Sequence, residues 1–127
     1  MTWQNATLAA LPSVGLMAQT KPNPVLACNM KAISSTERVR YHALTANIKS
    51  AVRLQSELRE GFSWDLDGKK TTMIEVAEWM SMERRCCPFL TLQIEATGDG
   101  SDFKVKLLGP DGVKAFLQSE FGTPGMR

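Results

Sequence analysis

The sequence predicts an α+β domain: a mostly antiparallel four-stranded sheet with three helices on one face, in the order strand, helix, strand, helix, strand, strand, helix. Three observations carry this reading. Four short runs alternate in hydrophobicity with a period of two, as half-buried strands do. Two Ser/Thr-x-x-Glu boxes, Ser34 to Glu37 and Thr72 to Glu75, each precede a stretch with apolar residues at helical spacing. Gly98-Asp99-Gly100 joins the last two alternating runs and reads as a hairpin turn, which favours antiparallel pairing.

Residues 1–23 hold Trp3, several Ala and Leu, Pro12 and Gly15 without a clear period, and run into the breaker cluster Lys21-Pro22-Asn23-Pro24. They read as an amino-terminal extension that packs on the domain or on a partner. The domain spans residues 24–122. Leu26, Cys28, Met30 and Ala32 alternate and predict the first strand. The Ser34 box starts a helix with Leu44, Ile48, Ala51 and Val52 inward and Arg38, Arg40, Lys49 and Arg53 outward, broken at Gly61. Phe62, Trp64 and Leu66 form the second strand. The Thr72 box opens a helix with Met73, Val76, Ala77 and Met80 on one face, which Pro88 must end. Leu90 to Ala96 and Phe103 to Leu107 form the last two strands. Pro110-Asp111 starts a final helix with Val113, Phe116 and Leu117 inward, stopped at Gly122, and residues 123–127 form a tail.

Composition narrows the function. In 127 residues, 43% are hydrophobic and 22% charged, the balance of an ordinary globular domain rather than a disordered chain or a coiled coil. Fifteen basic against 13 acidic residues leave a net charge of +2, too little for an electrostatic grip on nucleic acid. No apolar run reaches the ~20 residues of a membrane span. Val25-Leu26-Ala27-Cys28 resembles a lipidation box, but Met1 to Thr20 has no Lys or Arg and the breaker cluster stands where an apolar core should end. The expected location is therefore the cytoplasm. Three cysteines exclude a complete disulfide framework and suit a reducing compartment.

The chemistry concentrates in Glu83-Arg84-Arg85-Cys86-Cys87-Pro88-Phe89-Leu90. Cys86 and Cys87 stand at a helix end that a proline fixes, and thiolates are the preferred ligands of soft ions. Arg84 and Arg85 favour the thiolate, while the negative end of the helix dipole opposes it. Cys28, on the core face of its strand, is a third thiol, expected within about 4–7 Å of one of the pair if all three close on a metal whose bonds to sulfur are ~2.3–2.5 Å. A disulfide between the adjacent Cys86 and Cys87 is strained, because neighbouring Cα atoms are only ~3.8 Å apart. His42, the single histidine, is a fourth donor that no spacing ties to the site. Glu83 shares a helical stripe with Val76, Met80 and Cys87, and a carboxylate there is costly unless Arg84, Arg85 or a ligand pairs it. It is the candidate catalytic acid, able to protonate the carbon of a bound organomercurial. Against these stands a packing role, since free cysteines are often small buried hydrophobes.

On Leu26-Ala27-Cys28-Asn29-Met30 and Glu83 to Leu90, the chain resembles a small bacterial domain found alone or fused behind the DNA-binding part of mercury-resistance-type (MerR-like) transcription regulators. That domain opens with a short strand holding a cysteine, carries a Glu-x-x-Cys-Cys-x-Phe segment and closes with a Gly- or Pro-led helix, here Gly109 to Phe121. The likeness covers about Pro24 to Gly122. It implies sensing or binding of soft metals by Cys28, Cys86 and Cys87, with Glu83 also matching. The chain lacks a DNA-binding helix-turn-helix, so a regulator's function does not carry over.

The sequence thus points to a protein that binds a mercury-, arsenic- or zinc-type ion, or an organometal, through Cys28, Cys86 and Cys87. The competing readings are a non-catalytic interaction module with structural cysteines, whose amino-terminal extension covers a partner or a second copy, and an organomercurial-cleaving or other thiol-dependent enzyme using Glu83.

Overall fold

The computed structural model describes residues 26–98 and 100–125, and within them both capping boxes close. The Ser34 hydroxyl accepts from the Glu37 N–H at 3.1 Å while the Glu37 carboxylate accepts from the Ser34 N–H at 2.9 Å. Thr72 and Glu75 do the same at 3.1 and 3.2 Å. These caps start helices α1, Ser35–Ala51, and α2, Met73–Cys86. A third helix, α3, spans Val113–Phe121. Strands β1 (Val52–Leu58), β2 (Gly61–Leu66), β3 (Thr91–Ala96) and β4 (Phe103–Leu108) form one antiparallel sheet in the order β1-β2-β4-β3. The fold class is the expected one, with four antiparallel strands and three α-helices among the described residues.

The strands are not all where alternation placed them. Leu26 to Ala32 is not a strand: residues 26–29 run outside any sheet and Met30–Ala32 make a 3₁₀ turn. The fourth strand is β1, within the stretch expected to continue the first helix to Gly61. Val52 leaves the helix with extended backbone immediately after Ala51, with no glycine or proline to mark the change. The final helix starts at Val113 rather than Pro110, because Gly112 takes a left-handed conformation at its N-cap. At the β1–β2 hairpin, Gly61 is required by close approach, since a Cβ there would collide with the Leu107 carbonyl.

Antiparallel register stacks the inward residues of the central strands: Phe62 faces Leu107, Trp64 faces Val105 and Leu66 faces Phe103. These side chains form the floor of the core. Trp64 meets Phe121 of α3 edge-on at 5.5 Å and Trp79 of α2 at 6.5 Å, so both helices cover the same face. α1 packs on α2, tied by the Trp79 indole donating to the Thr45 hydroxyl at 3.0 Å. The opposite face is polar, with Lys104–Asp65 and Lys106–Glu95 pairs that contribute little individually. Met73 stands 47% exposed at the start of α2, against the expected inward placement; Trp79 and Met82 fill the core instead. Past α3, Pro124 is buried and Gly125 lies beside Val52. The amino-terminal extension, residues 1–23, lies outside the described residues, as do Asp99 of the hairpin turn and residues 126–127. Among the described residues no helix is long and apolar enough to cross a membrane.

Candidate functional site

The carboxyl end of α2 carries the site. Pro88 cannot continue a helix, so the chain turns at Cys87, whose N–H makes the last helical bond to the Glu83 carbonyl at 2.7 Å. The Leu90 N–H then donates to the Cys87 carbonyl at 3.1 Å. A helix end leaves carbonyls without partners. Here the Cys86 carbonyl takes the Asn29 N–H at 2.8 Å, which docks the Leu26–Asn29 segment on α2. From α1, the Arg38 guanidinium donates to the carbonyls of Met30 at 3.1 Å and Ile33 at 2.8 Å. The segment expected to reach the core as a strand is thus held by its backbone, and Cys28 is delivered to the same place.

Cys28 and Cys87 are joined by a disulfide, with Cα atoms 4.6 Å apart across 59 residues of sequence. The adjacent pair Cys86–Cys87 is not bridged. Cys86 is a free thiol, fully buried. One carboxylate oxygen of Glu83 and the two sulfurs of Cys28 and Cys87 all lie within 4.8 Å of one another. Cys87 Sγ is 3.1 Å from Glu83 Oε1, and Cys28 Sγ is 4.0 Å from it. Of the three expected sulfurs, two converge, and the third donor beside them is the carboxylate. Cys86 is not in the group. His42 is exposed, its ring edge-on to Tyr41, and is not in the group either.

Glu83 has zero exposure, and its Oε2 has no hydrogen-bond partner among the described residues. Neither adjacent arginine neutralises it: Arg85 pairs with Glu37 of α1, and Arg84 is exposed. Burial therefore pushes the Glu83 carboxyl up to about 7, with the Tyr41 hydroxyl pulling the other way and the charge of Glu120 adding to the rise. Burial also raises the Cys86 thiol, as does the nearby Glu83 charge, against a smaller opposing effect of Arg85. Tyr41 is raised by burial and then by Glu83. In the disulfide, Cys87 Sγ has no proton, so its contact with Glu83 is a hydrogen bond only when the protonated carboxyl donates. In the dithiol, the Cys87 thiol donates to the carboxylate. The site holds one proton in either role.

Three contributors were not singled out from the sequence. Tyr41 was legible in principle, being three residues before Leu44 and seven before Ile48 on the buried stripe of α1. Arg38 and Asn29 act through backbone carbonyls and amides, for which residue spacing has no signature. Comparison with family models, curated proteins and solved structures finds no match for this chain.

Proposed function

We propose that the reduced protein binds a soft metal or metalloid ion, of the mercury(II), arsenic(III) or zinc type, through the thiolates of Cys28 and Cys87 with the Glu83 carboxylate beside them. The observation that carries the reading is the convergence of two sulfurs and a carboxylate oxygen within 4.8 Å, with no cation paired to that carboxylate among the described residues. A buried carboxylate with an unpartnered oxygen costs stability, and a bound cation offsets that cost. Two thiolates select soft ions over hard ones. Three donors fall short of the closed four-ligand set of structural zinc, which favours ions content with low coordination or a site left open to an exchangeable ligand. Binding requires the dithiol, which suits a reducing compartment such as the cytoplasm. The resemblance to the domain of mercury-resistance-type regulators supports the same class of ligand.

The test is titration of fully reduced protein with mercury(II) and with arsenite, followed by sulfur-to-metal charge-transfer absorption. Cys28→Ser and Cys87→Ser lose the absorption or weaken binding at least tenfold, while Cys86→Ser binds as wild type. Equal behaviour of all three variants, or no binding by wild type, overturns the reading. A second reading, cleavage of an organomercurial, is favoured by one observation: the Glu83 carboxyl stands 3.1 Å from Cys87 Sγ. There it would protonate the metal-bound carbon rather than ligate, and released hydrocarbon, abolished by Glu83→Gln, separates the two readings.

A further inference from the structure

We propose that the Cys28–Cys87 bond is a reversible two-electron redox couple that exchanges with low-molecular-weight thiols, with Cys28 as the attacked sulfur. Four features of the fold support this. First, the two sulfurs differ in access: Cys87 is fully buried, while Cys28 is only partly so and packs at the edge of the core. An incoming thiolate must approach along the line of the bond, and Cys28 is the more accessible of the two residues. Second, the Cys28 segment is held independently of the disulfide, by the Asn29 N–H on the Cys86 carbonyl and by Arg38 on the carbonyls of Met30 and Ile33. Opening the bond leaves the partners side by side. Third, a hydrogen-bond acceptor is already in place for the thiol that opening creates, because Glu83 Oε1 lies 3.1 Å from Cys87 Sγ. A purely structural disulfide has no use for a buried carboxyl at that distance. Fourth, Cys86 is buried and its bond to Cys87 would be strained, so the released sulfur has no competing partner in the chain.

The exchange runs in two balanced steps. A thiolate attacks Cys28 Sγ, forming a mixed disulfide and breaking the Cys28–Cys87 bond; the electron pair leaves on Cys87 Sγ, which takes up a proton. A second thiolate attacks the outer sulfur of the mixed disulfide, releasing Cys28 as thiolate, which is protonated in turn. Two small thiols are oxidised to one disulfide, and the protein gains two electrons and two protons. In the reverse direction a small disulfide reoxidises the pair. The couple needs no metal, so it stands apart from the metal reading, although oxidation removes both thiolate ligands and would release a bound ion.

The experiment equilibrates native, metal-free protein in buffers of reduced and oxidised glutathione, quenches with acid, alkylates free thiols and weighs the protein. The folded wild type moves between one and three alkylated cysteines across the series, since the oxidised form keeps only Cys86 free. Cys86→Ser moves between none and two. Cys87→Ser accumulates one glutathione on Cys28, and Cys28→Ser accumulates none on Cys87 while it stays folded by circular dichroism. The wild-type series needs no variant to fold. A disulfide that opens only when the protein unfolds, a pair that never oxidises, or glutathione on Cys87 instead of Cys28 overturns the inference. Exchange without any metal binding by the reduced protein overturns the metal reading alone.

Discussion

Glu83 is the residue on which the site's electrostatics turn. Its folded carboxyl sits near 7 against an ordinary 4.5, so in the interval between them the folded state holds a proton that the unfolded state has released. The sign follows: the contribution is fully present below pH 4.5 and is lost as pH rises through 7. Metal-free protein with its disulfide intact should lose stability on the order of 3 kcal/mol from this group between pH 4.5 and 8. Glu83→Gln, which keeps the shape and removes the charge, flattens that slope in urea unfolding at pH 5 and pH 8. A slope unchanged by the variant would mean that the carboxyl is paired in solution. Cys86 is the complementary case. It is fully buried but outside the proposed ligand group, so Cys86→Ala should cost about 1–2 kcal/mol in stability, as loss of a small buried side chain does, and leave metal affinity within twofold.

At the scale of elements, the segment from Leu26 to Ile33 decides whether a site exists. It pairs with no strand; a backbone hydrogen bond to α2 and one arginine from α1 hold it. Arg38→Ala leaves the Ile33 carbonyl without a donor and the Met30 carbonyl with only the Ile33 N–H, and frees the chain around Cys28. The expected outcome is at least a tenfold loss of mercury(II) affinity with a fall in stability below about 2 kcal/mol, read by competition titration and thermal melting. The same segment shows where sequence reading stops. Both capping boxes, the stop at Pro88 and the place of Glu83 on the apolar stripe of α2 were legible, because each depends on local chemistry or on a helical stripe; its burial without a cationic partner among the described residues was not. The convergence of Cys28 with one of the pair Cys86 and Cys87 was legible as an expectation, since an alternating run with Cys28 on its core face pointed there. The alternation of Leu26, Cys28 and Met30 nevertheless came from a docked segment, which turns every second residue toward the core until the 3₁₀ turn ends the period and leaves Ala32 exposed. β1 was hidden for the opposite reason. As an edge strand it has only Val52 buried, so no period of two shows, and its start continues the apolar spacing of α1. That Cys86 and not Cys87 would be left out could not be read, because the split depends on how the last turn of α2 rotates at Pro88.

Across the described residues, a polar-backed sheet carries its helices on one side, and its core centres on Trp64, Trp79 and Phe121, whose rings lie 5.5 to 6.5 Å apart. This cluster joins β2, α2 and α3, and so fixes the helix that carries Glu83, Cys86 and Cys87. Trp79→Ala should remove about 3–5 kcal/mol, a large part of the ~5–15 kcal/mol that a domain of this size commands. Chemical denaturation checks this, and metal affinity should fall with it, because the α2 end loses its support. A variant destabilised by that amount that still binds metal as wild type does would show that the core and the site are less coupled than the packing implies.

Two sulfurs and one carboxylate of a single cluster form the proposed ligand set. X-ray absorption of the reduced protein loaded with one equivalent of mercury(II) or cadmium(II) reads that set directly. Two sulfur neighbours with an oxygen in the remaining shell are expected, the sulfur count falling by one in Cys28→Ser or Cys87→Ser and unchanged in Cys86→Ser. Three sulfur neighbours in wild type, with one lost on Cys86→Ser, or a sulfur count that ignores Cys28, would contradict it.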